Sequence, residues 1–244
     1  MKVTILGNSG PYEAAGSACS GYLFEADEAK ILLDCGNGVL SNLQKFCSIE
    51  ALDAIILSHL HSDHMADMLV LKYAISIKNA RRLMNKLIPV YAPQMPEEEY
   101  NRLNVKDAFI LNPITEKLVL NIKGLKITFR EMRHPVKTFA VCIEKDAKRF
   151  VYSGDTAWND NIIDFARGAD MLLVDTGLQQ QDKTSENVPH LTSLEVGVLG
   201  QKAAVKRLML THFWPEHDLI VSLNEARQNF EGAELSQLLM TYEI

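Results

Sequence analysis

No run of apolar residues in this 244-residue chain approaches the ~20 that a membrane-spanning helix requires. The opening MKVTILGNSG lacks the apolar stretch of roughly 7–15 residues found in a secretory signal. Excess positive charge is also missing. Against 25 Lys and Arg stand 31 Asp and Glu, a formal charge of −6, so no global basic field favours nucleic acid. Cysteine is sparse: Cys19, Cys35, Cys47 and Cys142 form no C-x-x-C pair, as suits free, reduced thiols in the cytoplasm. Linkers, low-complexity tracts and short-period repeats are absent. The expectation is a cytoplasmic globular protein, one domain over residues 1–244, whose 47% hydrophobic content supplies a sizeable core.

What is present alternates strands and helices. Val3–Leu6, Gly21–Phe24, Lys30–Asp34, Ala54–Leu57 and Ile88–Tyr91 read as strands. Helical periodicity runs from Met65 to about Leu87, where Lys72, Lys78, Arg81, Arg82 and Lys86 gather on what reads as one solvated helix face. Pro96–Leu103, with glutamates near its start, suits a helix N-terminus. From Ala108 to Ser153 the chain turns β-rich, with strands at Leu125–Met132, Thr138–Glu144 and Arg149–Ser153. A helix at Asn159–Arg167 capped by Asn159, a strand at Met171–Asp175, a polar loop at Gln179–Pro189, a helix at Leu194–Ala204, a strand at Leu208–Thr211 and a helix at Leu223–Phe230 complete an α/β pattern.

The chemistry concentrates in one segment. Of seven histidines, three fall within His59-Leu60-His61-Ser62-Asp63-His64, directly after an apolar strand. Alternate residues of an extended segment point the same way, so His59 and His61 can grip one ion while a turn aims Asp63 and His64 at another. Imidazole and carboxylate together suit zinc, and also manganese or ferrous iron. Other candidate ligands follow other strands: His134, Asp155 in Ser153-Gly154-Asp155-Thr156, and His212. Ligand sites of α/β sheets form where the carboxyl ends of strands meet. Singly each of these is as readily structural; as an ordered set they point to a binuclear metal centre. His217, in Pro215-Glu216-His217, either lines the pocket or faces solvent, and solvent is the expectation.

With these elements in order the sequence resembles the metallo-β-lactamase-fold superfamily over nearly its whole length. That resemblance implies a four-layer αβ/βα sandwich. It implies two divalent ions, the first on His59, His61 and His134, the second on Asp63, His64 and His212, with Asp155 shared between them. Asp34, in LLDCG, would stand behind the ligands and orient the metal-binding loop, or be an ordinary strand-end acid. His190, in His190-Leu191-Thr192-Ser193 and 22 residues before His212, resembles the histidine with which the phosphodiesterase branch, including ribonuclease Z, contacts the scissile phosphate and assists the leaving group. A helix N-terminus there also favours phosphate. Asp63 is expected to help orient the nucleophile, a water activated between the metals.

One departure matters. Ribonuclease Z forms with a long exosite carry a tRNA-gripping insertion between the counterparts of His134 and Asp155. Here 20 residues separate the two, enough for a hairpin. The chain thus looks more like the compact bacterial proteins of the YhfI type, and the expected substrate is a small phosphodiester or cyclic nucleotide rather than tRNA. The alternatives are a thioester or lactone hydrolase, ribonuclease Z-like RNA processing without the exosite, an iron-dependent oxidoreductase, and a non-catalytic binding module. No membrane partner is expected; a homodimer fits the family.

Overall fold

A computed structural model describes residues 1–185 and 187–244; Glu186, inside the polar loop expected over Gln179–Pro189, lies outside the described residues. Two seven-stranded mixed sheets pack face to face. The first, in the order β14-β1-β2-β3-β4-β5-β6, comprises β1 (Lys2–Gly7), β2 (Gly21–Ala26), β3 (Ala29–Leu33), β4 (Ala54–Ile56), β5 (Ile88–Ala92), β6 (Phe109–Pro113) and β14 (Thr241–Glu243). The second, in the order β13-β12-β11-β10-β9-β8-β7, comprises β7 (Val119–Ile122), β8 (Leu125–Glu131), β9 (Phe139–Lys145), β10 (Lys148–Tyr152), β11 (Met171–Asp175), β12 (Leu208–Thr211) and β13 (Glu234–Leu235). Outside the first lie α1 (Val39–Leu43), α2 (Ser62–Met65), α3 (Met68–Ala80) and α4 (Glu97–Arg102); outside the second lie α5 (Asp160–Ala166), α6 (Ser193–Ala203) and α7 (Leu219–Arg227). This is the four-layer sandwich of the metallo-β-lactamase fold.

The layering follows from strands that are apolar on both faces. In β2 the rings of Tyr22 and Phe24 enter the core between the sheets, while Leu23 joins the core beneath the helices. In β11, Met171 and Leu173 point between the sheets, and Leu172 and Val174 point to α5 and α6. Strands buried on both faces read as continuous apolar runs, which is why KILLD, AIIL and MLLVD are visible in the sequence. Tyr22 meets Tyr152 at 4.9 Å and Phe24 meets Phe150 at 5.2 Å, joining the sheets.

The helix expected to reach Leu87 stops at Ala80. Arg82 adopts a left-handed φ of 58°, and the Asn79 carboxamide donates to the carbonyls of Lys86 and Asp107, folding the chain back. The basic cluster is therefore split: Lys72 and Lys78 lie on α3, and Arg81, Arg82 and Lys86 lie beyond it. The last helix starts a turn earlier than expected, at Leu219, because the Asp218 side chain accepts from the N–H of Ile220. Asn159 caps α5 as expected, accepting from the N–H of Ile162.

Strand direction builds the site. Strands β3 and β4 run parallel, as do β10, β11 and β12; β8, antiparallel to β9 and hence parallel to β10, shares their direction. The residues after β3, β4, β8, β10, β11 and β12 all emerge at one edge of the sandwich. Those residues are Asp34, the 59–64 segment, His134, Asp155, Asp175 at its strand's last position, and His212.

Candidate metal centre

Three imidazoles meet nitrogen to nitrogen. His59 Nε2 lies 3.1 Å from His61 Nδ1, and His134 Nε2 lies 3.2 Å from that same atom. Their far nitrogens fix the tautomers. The Ser58 hydroxyl donates to Asp34 Oδ2 at 2.8 Å, so His59 Nδ1–H, 3.1 Å away, donates to the Ser58 oxygen. His134 Nδ1–H donates to the carbonyl of Pro189 at 3.0 Å. His59 and His134 therefore present lone pairs toward His61, and at most one proton serves three converging nitrogens. A tetrahedral ion with ~2.0–2.1 Å bonds to nitrogen needs edges of about 3.3 Å, close to those observed. Burial holds all three imidazoles below the ordinary histidine pKa, so their lone pairs are available for a cation at neutral pH.

The second set is acidic. His212 Nε2 lies 3.1 Å from Asp63 Oδ2 and 3.3 Å from Asp155 Oδ2. His64 Nε2 lies 3.3 Å from Asp155 Oδ1 and 3.4 Å from Asp63 Oδ2. Asp155 also reaches back toward the first set, its Oδ2 being 3.6 Å from His59 Nε2 and 4.0 Å from His134 Nε2. His64 Nε2 and Asp155 Oδ1 are buried and, among the described residues, neither has a hydrogen-bond partner, a costly state for polar atoms unless they have another partner. Burial opposes charge on these side chains, but mutual attraction prevails. The carboxyls of Asp63 and Asp155 are held well below the usual range by the surrounding histidines, and His64 and His212 are pushed well above theirs by the acids. A buried cluster that draws positive charge this strongly fits a divalent cation.

Two carboxylates stand behind these sets. Asp34, fully buried, accepts from the Ser58 N–H at 2.6 Å and the Tyr152 hydroxyl at 2.7 Å, and its Oδ2 takes His64 Nδ1–H at 2.8 Å. That bond turns His64 Nε2 toward Asp63 and Asp155. Asp175 is the residue that sequence reasoning missed. It accepts from the N–H groups of Thr156 and Gly177, both at 3.0 Å, and from His190 Nδ1–H at 2.9 Å, with His212 Nδ1 3.3 Å away. Its signal was available: MLLVD ends in an acid just as KILLD does.

His190 packs against both sets, its ring 5.2 Å from that of His134 and 5.1 Å from that of His212. Burial works against its charge, but Asp175 and Asp155 outweigh it and raise its pKa above the ordinary value. Strain and close packing hold the frame. Asp34 and His212 both take left-handed backbone, at φ 56° and 60°, a conformation costing of order 1–3 kcal/mol that persists only where the surroundings enforce it. His217 does not face solvent as expected. Its Nε2 lies 3.0 Å from Asp182 Oδ2, and its ring meets Trp214 edge-on at 4.8 Å. Between His134 and Asp155 the chain forms the β9–β10 hairpin. The four cysteines are unpaired, and among the described residues no helix is long and apolar enough to cross a membrane.

Comparison with known proteins agrees with this geometry. The beta-lactamase superfamily domain matches residues 29–213. The probable metallo-hydrolase YhfI of Bacillus subtilis is 34% identical, covering 95% of each chain, and its crystal structure superposes over 100% of this chain and 99% of that one with a TM-score of 0.94. The ribonuclease Z of Thermoplasma acidophilum is 24% identical, over 100% of this chain and 96% of its own. The short form of human tRNase Z, 19% identical, shares the fold with a TM-score of 0.78, over 100% and 99% of the two chains. The chain therefore belongs to the beta-lactamase superfamily and has the sandwich fold and the clustered histidines and aspartates of a metallo-hydrolase.

Proposed function

We propose that the protein is a binuclear metal-dependent phosphodiesterase acting on small phosphodiesters, cyclic nucleotides among them. His59, His61 and His134 would hold one divalent ion, Asp63, His64 and His212 a second, and Asp155 both, with zinc the best match to the nitrogen-rich first set. Bound ions would supply an activated water near neutral pH and neutralise charge on phosphate oxygens. The chain's own residues do the rest. Asp63 has a second carboxylate oxygen with which to orient the attacking water. With one proton of the water lost to solvent, its oxygen bonds to phosphorus as the bond from phosphorus to the departing alcohol breaks. His190, whose Nδ1–H is committed to Asp175, gives its Nε2 proton to the departing oxygen. Asp34 and Asp175 keep His64, His212 and His190 in register throughout.

The observation that carries this reading is His190: an Asp175-braced imidazole beside both ligand sets, with 19% of its side chain exposed to an incoming ester. A thioester, whose thiolate departs without a proton, needs no such acid placed next to two cations. The short β9–β10 hairpin further favours small substrates over a gripped RNA. The test is a panel of bis(p-nitrophenyl) phosphate, cyclic nucleotides, thioesters and lactones offered to zinc- and manganese-loaded protein. Turnover of the phosphodiesters supports the reading; turnover confined to thioesters or lactones rejects it.

A further inference from the structure

The frame that holds His212 reaches to the C-terminal segment. His212 takes left-handed backbone at φ 60°, a region that few residues other than glycine hold unless their surroundings enforce it. Hydrogen bonds bracket it on both sides. Two residues earlier, the Leu210 carbonyl accepts from the Ser236 N–H at 2.9 Å. One residue later, the Phe213 N–H donates to the Asn8 carbonyl at 2.8 Å, and the Phe213 carbonyl accepts from the Gly10 N–H at 2.9 Å. The Asn8 side chain closes the circuit: its Nδ2 donates to the Ser236 carbonyl at 2.8 Å and lies 3.2 Å from the Ser236 hydroxyl. Asn8 and Ser236 are buried, 9% and 3% exposed, so removing the amide leaves the Ser236 carbonyl short of a partner.

Each part of the circuit has an anchor of its own. Beyond Ser236 the chain crosses to the first sheet, where the Leu239 N–H donates to the Ile5 carbonyl at 2.7 Å, the Ile5 N–H donates to that of Met240 at 3.0 Å, and β14 pairs with β1. Gly10 backs the His212 ring so closely that a β-carbon would fall 2.0 Å from Nε2. His59, His61 and His134 follow β4 and β8 and stand outside the circuit. We propose that Asn8 is a positioning residue for His212, and that through Ser236 it makes the C-terminal segment a determinant of the second ion's affinity while leaving the first ion's alone. Without the amide, residues 8–10 and Phe213 lose their tie to Ser236, and His212 relaxes toward ordinary backbone. Its Nε2 then leaves the place it holds 3.1 Å from Asp63 Oδ2 and 3.3 Å from Asp155 Oδ2. Partners that orient a ligand in this way are worth about 10–100-fold in metal affinity.

The inference rests on the binuclear reading, and single-site backgrounds separate the two. His61→Ala breaks the first set and His212→Ala the second. Zinc affinity is measured in each by competition with a chelating dye, with and without Asn8→Ala. In His61→Ala the added substitution is expected to weaken binding about tenfold; in His212→Ala it should change binding by less than about twofold. Equal losses in the two backgrounds, or no loss in His61→Ala, overturn the proposal. If Asn8→Ala does not fold, Asn8→Ser, whose hydroxyl is too short to reach the Ser236 carbonyl, is held to the same outcomes. If wild-type protein binds a single zinc, the binuclear reading fails; in that case, or if His61→Ala binds none, the ion-free protein decides. Carbon chemical shifts of His212 Cα and Cβ report its backbone angles. Their movement away from left-handed values in the Asn8 variant, with those of His59 unchanged, sustains the proposal; unchanged His212 shifts end it.

Discussion

Gly10 lies directly on the ring of His212. A β-carbon placed there falls 2.0 Å from His212 Nε2, 2.3 Å from Cε1 and 2.4 Å from Cδ2, where ordinary contact begins at 3.4 Å. The glycine does not adopt left-handed backbone, so Gly10→Ala carries no intrinsic conformational penalty and its whole effect is this collision. The loop is not free to retreat: the Gly10 N–H donates to the Phe213 carbonyl at 2.9 Å, and the Phe213 N–H donates to that of Asn8 at 2.8 Å. The imidazole has to yield by more than an ångström, and the atom struck hardest is the one facing Asp63 and Asp155. Displacement of about 1 Å at a reacting centre costs on the order of 10²-fold in rate, whereas overpacking of one methyl costs about 1–3 kcal/mol of stability. At about 2–4 °C per kcal/mol for a chain this long, Gly10→Ala should fold with a lowered Tm and lose about 100-fold in kcat/KM on bis(p-nitrophenyl) phosphate. Gly177→Ala is the graded control. Its β-carbon meets His190 Cγ at 3.0 Å, a clash relieved by a few tenths of an ångström, so its loss should stay under about tenfold. A folded Gly10→Ala enzyme within twofold of wild-type activity would refute the reasoning.

Other substitutions probe the residues behind the cluster. Asp34→Asn replaces a carboxylate that gathers Ser58, Tyr152 and His64, and should weaken zinc affinity about 10–100-fold by competition with a chelating dye. Asp175→Asn keeps one acceptor oxygen and puts an amide N–H2 in place of the other, facing either the Thr156 and His190 donors or the Gly177 donor; the weakened hold on His190 should depress turnover of alkyl phosphodiesters far more than of p-nitrophenyl esters, whose leaving group needs no proton, and equal losses on both would contradict the role given to His190. Chelation should lower Tm, and restoring zinc at 100 times its Kd should return about 2.7 kcal/mol of stability, a gain that Asp155→Ala should largely abolish when followed by calorimetry.

The strands and most of the candidate site were legible for one physical reason. In a sandwich whose strands are apolar on both faces, each buried run ends abruptly, and a polar residue at that end stands out. KILLD, AIIL before His59, and the histidine and aspartates after later strands all carry this mark, and the structure brings His59, His61, Asp63, His64, His134, Asp155 and His212 together. Asp175 bore the same mark but ends its strand without the distinctive neighbours that drew notice to Asp155. Helix ends were less legible. The apolar periodicity past Ala80 comes from Met84, which is buried, and from Leu83 and Leu87, which are exposed; the reversal at Arg82 depends on the Asn79 side chain, which periodicity does not register. His217 was misjudged because its partner Asp182 is 35 residues away in sequence.

The most direct test of the account is the zinc stoichiometry of chelator-stripped protein, measured by calorimetric titration. Two ions per chain in the wild type, falling to one in His212→Ala, are the expected result. A single ion in the wild type, or two retained after His212→Ala, would contradict the binuclear centre on which the account depends.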